Sequence, residues 1–125
     1  GGWQYQYREK KKGNMIIPPL NYATVCRGIH RSGYPVAINF PFLELIKIKT
    51  ILCLSPDILK EETVEFAEEK GIQIYTVDML ESKEPFIGIS NKAVTHALEV
   101  LSDTRNHPIL VHCDRGKVCF STAHD

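Results

Sequence analysis

The sequence has 125 residues, 43% of them hydrophobic, which is enough for one hydrophobic core and too short for two. The 15 lysines and arginines balance the 15 aspartates and glutamates, so the chain as a whole has no charge excess to attract nucleic acid or an anionic membrane. No apolar stretch approaches the ~20 residues of a membrane span, and no apolar signal core is found near the start. We therefore expect an intracellular protein of the cytoplasm.

The pattern along the chain predicts a basic flexible leader at residues 1–15 and a single domain at 16–125. Within that domain, the predicted elements in chain order are a strand at 22–26, a turn-rich connection at 28–35, a short helix at 41–48, a strand at 50–54, a helix at 61–70, a strand at 72–77, a helix from 90 to about 103 and a strand at 108–112. Strands that alternate with helices are typical of crossover connections, so the fold class is α/β with a mostly parallel central sheet flanked by helices.

The helix boundaries follow from local signals. Residues 55–57 (Ser-Pro-Asp) can start the helix that Gly71 is placed to terminate, and Ser90 can cap the last helix. The apolar residues that keep a 3.6-residue spacing in that last helix are Val94, Ala97, Leu98 and Leu101. In a parallel sheet, ligands bind beyond the carboxyl ends of the strands, which is where Cys113 and Asp78 fall.

Cys113 follows the apolar strand directly and opens a short basic loop. A thiol attacks phosphorus as the thiolate, so its pKa must be lowered by backbone N–H groups and nearby cations, which also bind phosphate oxygens. The loop supplies such groups in Asp114, Arg115, Gly116 and Lys117, where the glycine permits a tight backbone curl. Cys113 is therefore the candidate nucleophile of a phosphocysteine mechanism, and residues 114–117 are the candidate phosphate cradle.

The other thiols and histidines have simpler interpretations. Cys26 and Cys53 are expected in the core as reduced thiols, and His112 is expected to orient the loop rather than to transfer protons. Structural zinc at His112, Cys113, Cys119 and His124 is disfavoured, because paired cysteines two to four residues apart are absent. We expect no metal and no cofactor. A disulfide between Cys113 and Cys119 would require the loop to bring their Cα atoms within ~7 Å.

Several linked motifs resemble those of the plant and fungal atypical dual-specificity phosphatases, a cysteine-phosphatase branch that includes inositol pyrophosphate phosphatases. The motifs lie at residues 17–22 (Ile-Pro-Pro-Leu-Asn-Tyr), 28–35 (Gly-Ile-His-Arg-Ser-Gly-Tyr-Pro), 39–40 (Asn-Phe), 42–43 (Phe-Leu), 83–86 (Lys-Glu-Pro-Phe) and 108–117 (Pro-Ile-Leu-Val-His-Cys-Asp-Arg-Gly-Lys). The resemblance covers residues 16 to 117 and implies a cysteine-phosphatase-like fold.

The resemblance also implies a phosphorylated small molecule, an inositol pyrophosphate, or a phosphoprotein as substrate. Lys83 and Arg31 would then contact its phosphates, and the general acid would be Asp78 or Glu84. Exposed, solvated charges are the alternative for Lys83 and Arg31. The family's loop carries an arginine six positions after the cysteine, and this chain has Cys119 there. A guanidinium fork binds two phosphoryl oxygens, so we expect impaired turnover.

After Lys117 the sequence departs from the family, as it would after a C-terminal truncation or divergence. We therefore expect an incomplete domain without the family's C-terminal helices, with one sheet face left for a protein partner to cover. Three functions follow: an impaired phosphatase, a pseudophosphatase that binds phosphorylated ligands or partners without turnover, and a rhodanese-like sulfur carrier, against which the linked N-terminal motifs argue.

Overall fold

The computed structural model describes residues 15–54, 59–83 and 86–112. The strands of this part of the chain are β1 (Ala23–Cys26), β2 (Ile29–Ser32), β3 (Thr50–Cys53), β4 (Gln73–Thr76), β5 (Leu80–Lys83), β6 (Phe86–Ile89) and β7 (Ile109–His112). Its α-helices are α1 (Phe40–Leu45), α2 (Glu61–Lys70) and α3 (Asn91–Ser102), and short 3-10 turns lie at Ala37–Asn39 and Thr104–Asn106.

Five of the strands form one sheet in the order β1-β2-β7-β3-β4. β2, β7, β3 and β4 run parallel, and β1 pairs antiparallel with β2 at one edge. β5 and β6 form a separate antiparallel hairpin. The last strand in sequence is thus the middle strand of the five. This confirms the predicted α/β class with a mostly parallel sheet.

Alternate side chains of the central strands face two different helical layers. Leu110 and Ile51 pack in a cluster with residues of α1 and α2, among them Phe42 and Phe66. On the opposite face, Ile109 and Val111 of β7 and Leu52 of β3 pack with Ala97 and Val100 of α3. Because both faces of β3 and β7 are covered, nearly every residue of these strands is fully buried, as expected for parallel strands.

The predicted helix boundaries are confirmed where they are described. Gly71 ends α2 in the left-handed conformation, at φ 71°, where a glycine meets no Cβ penalty. The Ser90 hydroxyl accepts a hydrogen bond from the Ala93 backbone N–H at 3.2 Å and so caps α3. The start predicted at residues 55–57 lies outside the described residues. Ile16 packs in the core cluster of α1 and α2, whereas the predicted leader at residues 1–15 falls almost entirely outside the described residues.

Two segments differ from the sequence-based prediction. The connection predicted at 28–35 contains β2, whose short polar sequence forms a strand because it pairs with β1 on one side and β7 on the other. The sequence predicts no element between the strand at 72–77 and the helix that begins at 90, and the β5–β6 hairpin lies in this interval. In both cases strand formation depends on pairing with another segment rather than on local propensity.

Three smaller predictions are also wrong. Leu98 is 46% exposed, whereas the other three predicted positions of α3, Val94, Ala97 and Leu101, pack against the sheet together with Val100. Cys26 is exposed rather than in the core, since it lies at the end of the edge strand β1. The predicted open sheet face is not found at β3 and β7, where both faces are packed against helices. Within the described ranges, no helix is long and apolar enough to span a membrane.

Candidate active site at the carboxyl edge of the sheet

The four parallel strands end in register, and their last residues form one row across the sheet. Ser32 of β2 lies beside His112 of β7, which lies beside Cys53 of β3, which lies beside Thr76 of β4. Carboxyl ends of parallel strands meet at one edge of the sheet, where ligands of such folds bind. We call these four residues the edge row. In the sequence, Cys113 directly follows His112, a member of this row.

His112 is held from both sides of its ring. Its Nε2 lies 3.1 Å from the Cys53 Sγ, and the ring of Tyr34 packs against it edge to face at 5.4 Å between centroids. Its backbone carbonyl accepts a hydrogen bond from the Leu54 N–H at 2.9 Å. With 2% of its surface exposed, His112 is a buried side chain fixed at the end of the strand. Its predicted role in orienting the loop stays a prediction, because that loop lies outside the described residues.

Cys53 is a buried thiol and not a second nucleophile. Burial raises its pKa to about 11, against a smaller lowering effect of the hydrogen bond with Thr76. The thiol is therefore protonated at neutral pH, whereas nucleophilic attack needs the thiolate. The prediction of Cys53 as a core residue is confirmed, and its position in the edge row adds contacts with His112 and Thr76 that the sequence did not indicate.

The segment after β2 is tied to the edge row by short hydrogen bonds. Ser32 Oγ donates to the Gly33 carbonyl at 2.7 Å, and the Gly33 N–H donates to the Leu20 carbonyl at 2.7 Å. A Cβ at position 33 would lie 3.3 Å from that Leu20 oxygen, so glycine allows this close approach. Tyr34 is thereby brought against His112. The run Gly-Ile-His-Arg-Ser-Gly-Tyr-Pro at residues 28–35 therefore supports the end of β7.

The predicted phosphate contacts and acids are distributed over several elements. Arg31 lies on β2 opposite Val111, on the strand next to β7. Asp78 is exposed two residues beyond β4, and β3 separates β4 from β7. Strands lie ~4.8 Å apart, so the line of Asp78 is ~10 Å from that of β7. The backbone of Lys83 ends β5 opposite Phe86. Arg31 thus lies on the strand next to β7, level with Val111, and Asp78 follows a strand two positions away from β7.

The remaining predicted residues lie outside the described residues, namely the nucleophile Cys113, the cradle residues Asp114, Arg115, Gly116 and Lys117, the acid Glu84, and the residues Cys119 and His124. Among the side chains that the structure describes, no three of histidine, cysteine, aspartate or glutamate gather as metal ligands. His112 of the disfavoured zinc set contacts Cys53 instead.

Sequence reasoning missed the supporting residues of this site, which are Ser32, Tyr34 and Thr76, together with the role of Cys53 beside His112. One signal was available for Cys53. It ends a predicted buried strand, and in a parallel sheet such an end reaches the same edge as the end of the strand before Cys113. Which strand lies next to which could not be read from the sequence.

Comparison with known proteins identifies the family. Residues 16–123 match the sequence model of the Tyrosine phosphatase family. This match extends six residues beyond Lys117, the residue at which the motif resemblance ends. The chain is 43% identical over 109 residues to the inositol diphosphatase DSP4 of Arabidopsis thaliana, a match that covers 87% of this chain and 55% of that protein. It is 44% identical over 103 residues to the inositol diphosphatase SIW14 of Saccharomyces cerevisiae, which covers 82% of this chain and 37% of that protein.

A solved structure of the Siw14 catalytic core has the same fold, with a TM-score of 0.80 and 39% sequence identity over 89% of this chain and 66% of that one. The chain spans about half the length, or less, of the curated relatives it matches. The family match, these relatives and a cysteine that follows the middle strand of a parallel sheet all agree. The chain belongs to the tyrosine phosphatase family.

Proposed function

We propose that this chain is a cysteine-dependent phosphatase domain that acts on an inositol pyrophosphate. The observation that carries the proposal is the position of Cys113 directly after β7, the middle strand of the sheet, in a chain whose relatives are named inositol diphosphatases. A fold alone does not determine a reaction, so the proposal depends on this residue and on those relatives.

In the proposed reaction, the Cys113 thiolate attacks the terminal phosphorus of the pyrophosphate. A sulfur–phosphorus bond forms while the bond from phosphorus to the bridging oxygen breaks, and the leaving oxygen takes a proton from an acid or from water. Water then attacks phosphorus, which releases phosphate and returns the thiolate. Asp114, Arg115, Gly116 and Lys117 would bind the phosphoryl oxygens throughout.

Arg31 and Lys83 would bind the remaining phosphates of the substrate. Arg31 suits this role because β2 is the direct neighbour of β7. For the acid, Asp78 is the candidate at the end of β4, ~10 Å from β7 by strand spacing, and Glu84 is the candidate in the connection between β5 and β6. A carboxyl side chain extends only a few ångströms, so Asp78 would act through a bound leaving group that reaches toward β4.

The reaction requires a reduced thiol, which suits action in the cytoplasm. A phosphoprotein is the other substrate consistent with the family, and it is distinguished from an inositol pyrophosphate by direct competition between the two in one assay.

One sequence feature favours a second function. Cys119 stands where the family's loop carries arginine, so the chain lacks the donor fork that would stabilise the transition state. The alternative is a pseudophosphatase that binds phosphorylated ligands or protein partners at the same edge without turnover.

The test is phosphate release from an inositol pyrophosphate by this chain and by its Cys113→Ser and Cys26→Ser variants. The second variant is a matched control, because Cys26 is an exposed thiol on the edge strand. We expect release that is lost with Cys113→Ser and kept with Cys26→Ser. Equal release by all three proteins would contradict the proposal.

A Cys119→Arg variant separates the two functions. Loss of one preorganised donor costs ~10²–10³ in turnover, so restoring the arginine should raise release by about 10²-fold. No release from the folded chain, together with release from the Cys119→Arg variant, would identify the chain as a pseudophosphatase. No release from either, with binding of the substrate measured by calorimetry, would leave binding as its only function.

A further inference from the structure

Three strands of the sheet are joined at their carboxyl ends by side chains, with Cys53 in the middle. Cys53 Sγ lies 3.1 Å from the Nε2 of His112 on one side, and its thiol hydrogen-bonds the Thr76 side chain on the other. We propose that Cys53 is a positioning residue for Cys113, which it holds in its reactive form through His112. The proposal rests on the proposed function, because it concerns the same nucleophile.

The contact between Cys53 and His112 lies in a fully buried environment, where 1% and 2% of their surfaces are exposed. A buried polar group without a partner costs about 1–3 kcal/mol, so each of the two side chains stabilises the other in place. Burial keeps the Cys53 thiol protonated, with a pKa of about 11. It can therefore donate its S–H to Nε2 or accept the Nε2–H at sulfur, and a neutral thiol does so without placing a buried charge beside His112.

The effect can reach Cys113 because His112 is its immediate neighbour in the chain. The His112 carbonyl is already fixed by the Leu54 N–H, and its ring is enclosed between Tyr34 and Cys53. These contacts fix the last residue of β7, to which Cys113 is covalently joined. The pKa of a loop thiolate depends on the backbone N–H groups and charges around it, so we expect a shift of the preceding residue to change the pKa of Cys113.

The experiment measures the alkylation rate of each cysteine as a function of pH. Trypsin separates all four cysteines, because Cys26, Cys53, Cys113 and Cys119 lie in the peptides 13–27, 50–60, 106–115 and 118–125. Mass spectrometry of iodoacetamide-treated chain therefore reports the ionisation of Cys113 alone. In the same sample, Cys26 serves as an exposed control for the rate of an ordinary thiol.

The variants are Cys53→Ala, Cys53→Ser and Thr76→Val. Alanine at position 53 removes the sulfur that contacts the Nε2 of His112, whereas serine keeps a hydroxyl donor and acceptor there. Valine at position 76 removes the hydroxyl that hydrogen-bonds Cys53, at an exposed position where no cavity opens. In Cys53→Ala we expect the pKa of Cys113 to rise by about one unit, which lowers its alkylation rate about tenfold at a pH below that pKa. Serine should restore most of the rate, and Thr76→Val should have a smaller effect of the same sign.

An unchanged pH profile of Cys113 in a folded Cys53→Ala variant would overturn the proposal, as would a loss of rate that serine does not restore. If circular dichroism shows that Cys53→Ala does not fold, the test is made with Thr76→Val, and an unchanged pH profile of Cys113 alkylation in that variant would overturn the proposal. Alkylation requires no turnover, so its result is independent of phosphate release. If Cys113→Ser leaves release unchanged, the proposed function fails, whereas the alkylation profile still shows whether Cys53 controls Cys113.

Discussion

Two rows of side chains lie on the same sheet face, two residues apart along each strand, and on the two central strands they differ in chemistry at nearly equal burial. The inner row is His30, Leu110, Ile51 and Ile74, in register across β2, β7, β3 and β4. The edge row is Ser32, His112, Cys53 and Thr76. At the two central strands, Leu110 and Ile51 are 0% exposed, and His112 and Cys53 are 2% and 1% exposed.

Comparing the two rows separates side chains that act through apolar packing from side chains that also have polar partners. Leu110, Ile51 and Ile74 of the inner row pack with Phe42 and Phe66 and gain stability by removing apolar surface from water. Cys53 of the edge row packs in the same cluster, but burying the polar groups of that row is unfavourable unless they are hydrogen-bonded. Its polar side chains are retained together with partners, at the place where the chain continues into Cys113. The predictions below test this division.

The largest effect is expected for Leu110→Ala in the inner row. Truncating a fully buried leucine leaves a cavity, so the free energy of unfolding should fall by about 2–5 kcal/mol, measured by urea denaturation. Leu98→Ala is the matched control, because Leu98 is 46% exposed, and it should change the free energy by less than about 0.5 kcal/mol. Equal losses in the two variants would contradict the assignment of the inner row as the stabilising layer.

In the edge row, His112→Leu should have the opposite pattern. Leucine has a comparable volume, so we expect the free energy of unfolding to change by less than about 1.5 kcal/mol. The alkylation rate of Cys113 should nevertheless fall about tenfold below its pKa, because the hydrogen bond to Cys53 is lost. If His112→Leu is strongly destabilised but its Cys113 is alkylated at the same rate as in the unsubstituted chain, the edge row stabilises the fold and does not affect Cys113.

A smaller effect is expected from pH at His30, the titratable member of the inner row. Burial lowers its pKa below 6.5, while its Nδ1 lies 2.7 Å from the Tyr22 hydroxyl. The unfolded chain therefore binds a proton more readily, and stability should decrease as the pH falls through 6.5. His30→Gln should reduce the difference between the free energies of unfolding that urea denaturation gives at pH 7.5 and at pH 5.5. An unaltered difference would show that other groups determine the acid sensitivity.

The smallest effect is expected at Asp103, before the amino end of β7. Hydrogen bonds from Arg105, whose Nη2 lies 2.8 Å from Oδ2, lower the Asp103 pKa to about 2. The stabilisation from this pair is present above pH ~4 and is lost as the pH falls toward 2. In Arg105→Gln, a carboxyl titration by NMR should show that pKa move up toward 3.8. The Cys113 alkylation profile should stay unchanged, and a shift would mean that the two ends of β7 are coupled.

Much of the architecture could be predicted because its signals are local. The apolar run before Cys113 indicated a buried strand, Gly71 and Ser90 indicated the ends of two helices, and strand–helix alternation indicated a parallel sheet. The strand β2 and the hairpin of β5 and β6 were missed, because four-residue strands depend on the partners they pair with. Leu98 was misplaced because a 3.6-residue spacing marks a wide stripe, and Leu98 lies at its margin, outside the part that packs on the sheet.

Residue type and covalent order are local properties, so the amino-acid sequence alone indicates the proposed chemistry, in a cysteine directly after a predicted buried strand and in motifs that resemble those of the phosphatases. The folded chain adds that this strand is the middle one and that His112 lies beside Cys53, a residue 59 positions earlier in the chain. Strand order and register come from pairing between distant segments and from the two helical layers that bury them, and no local pattern encodes that choice.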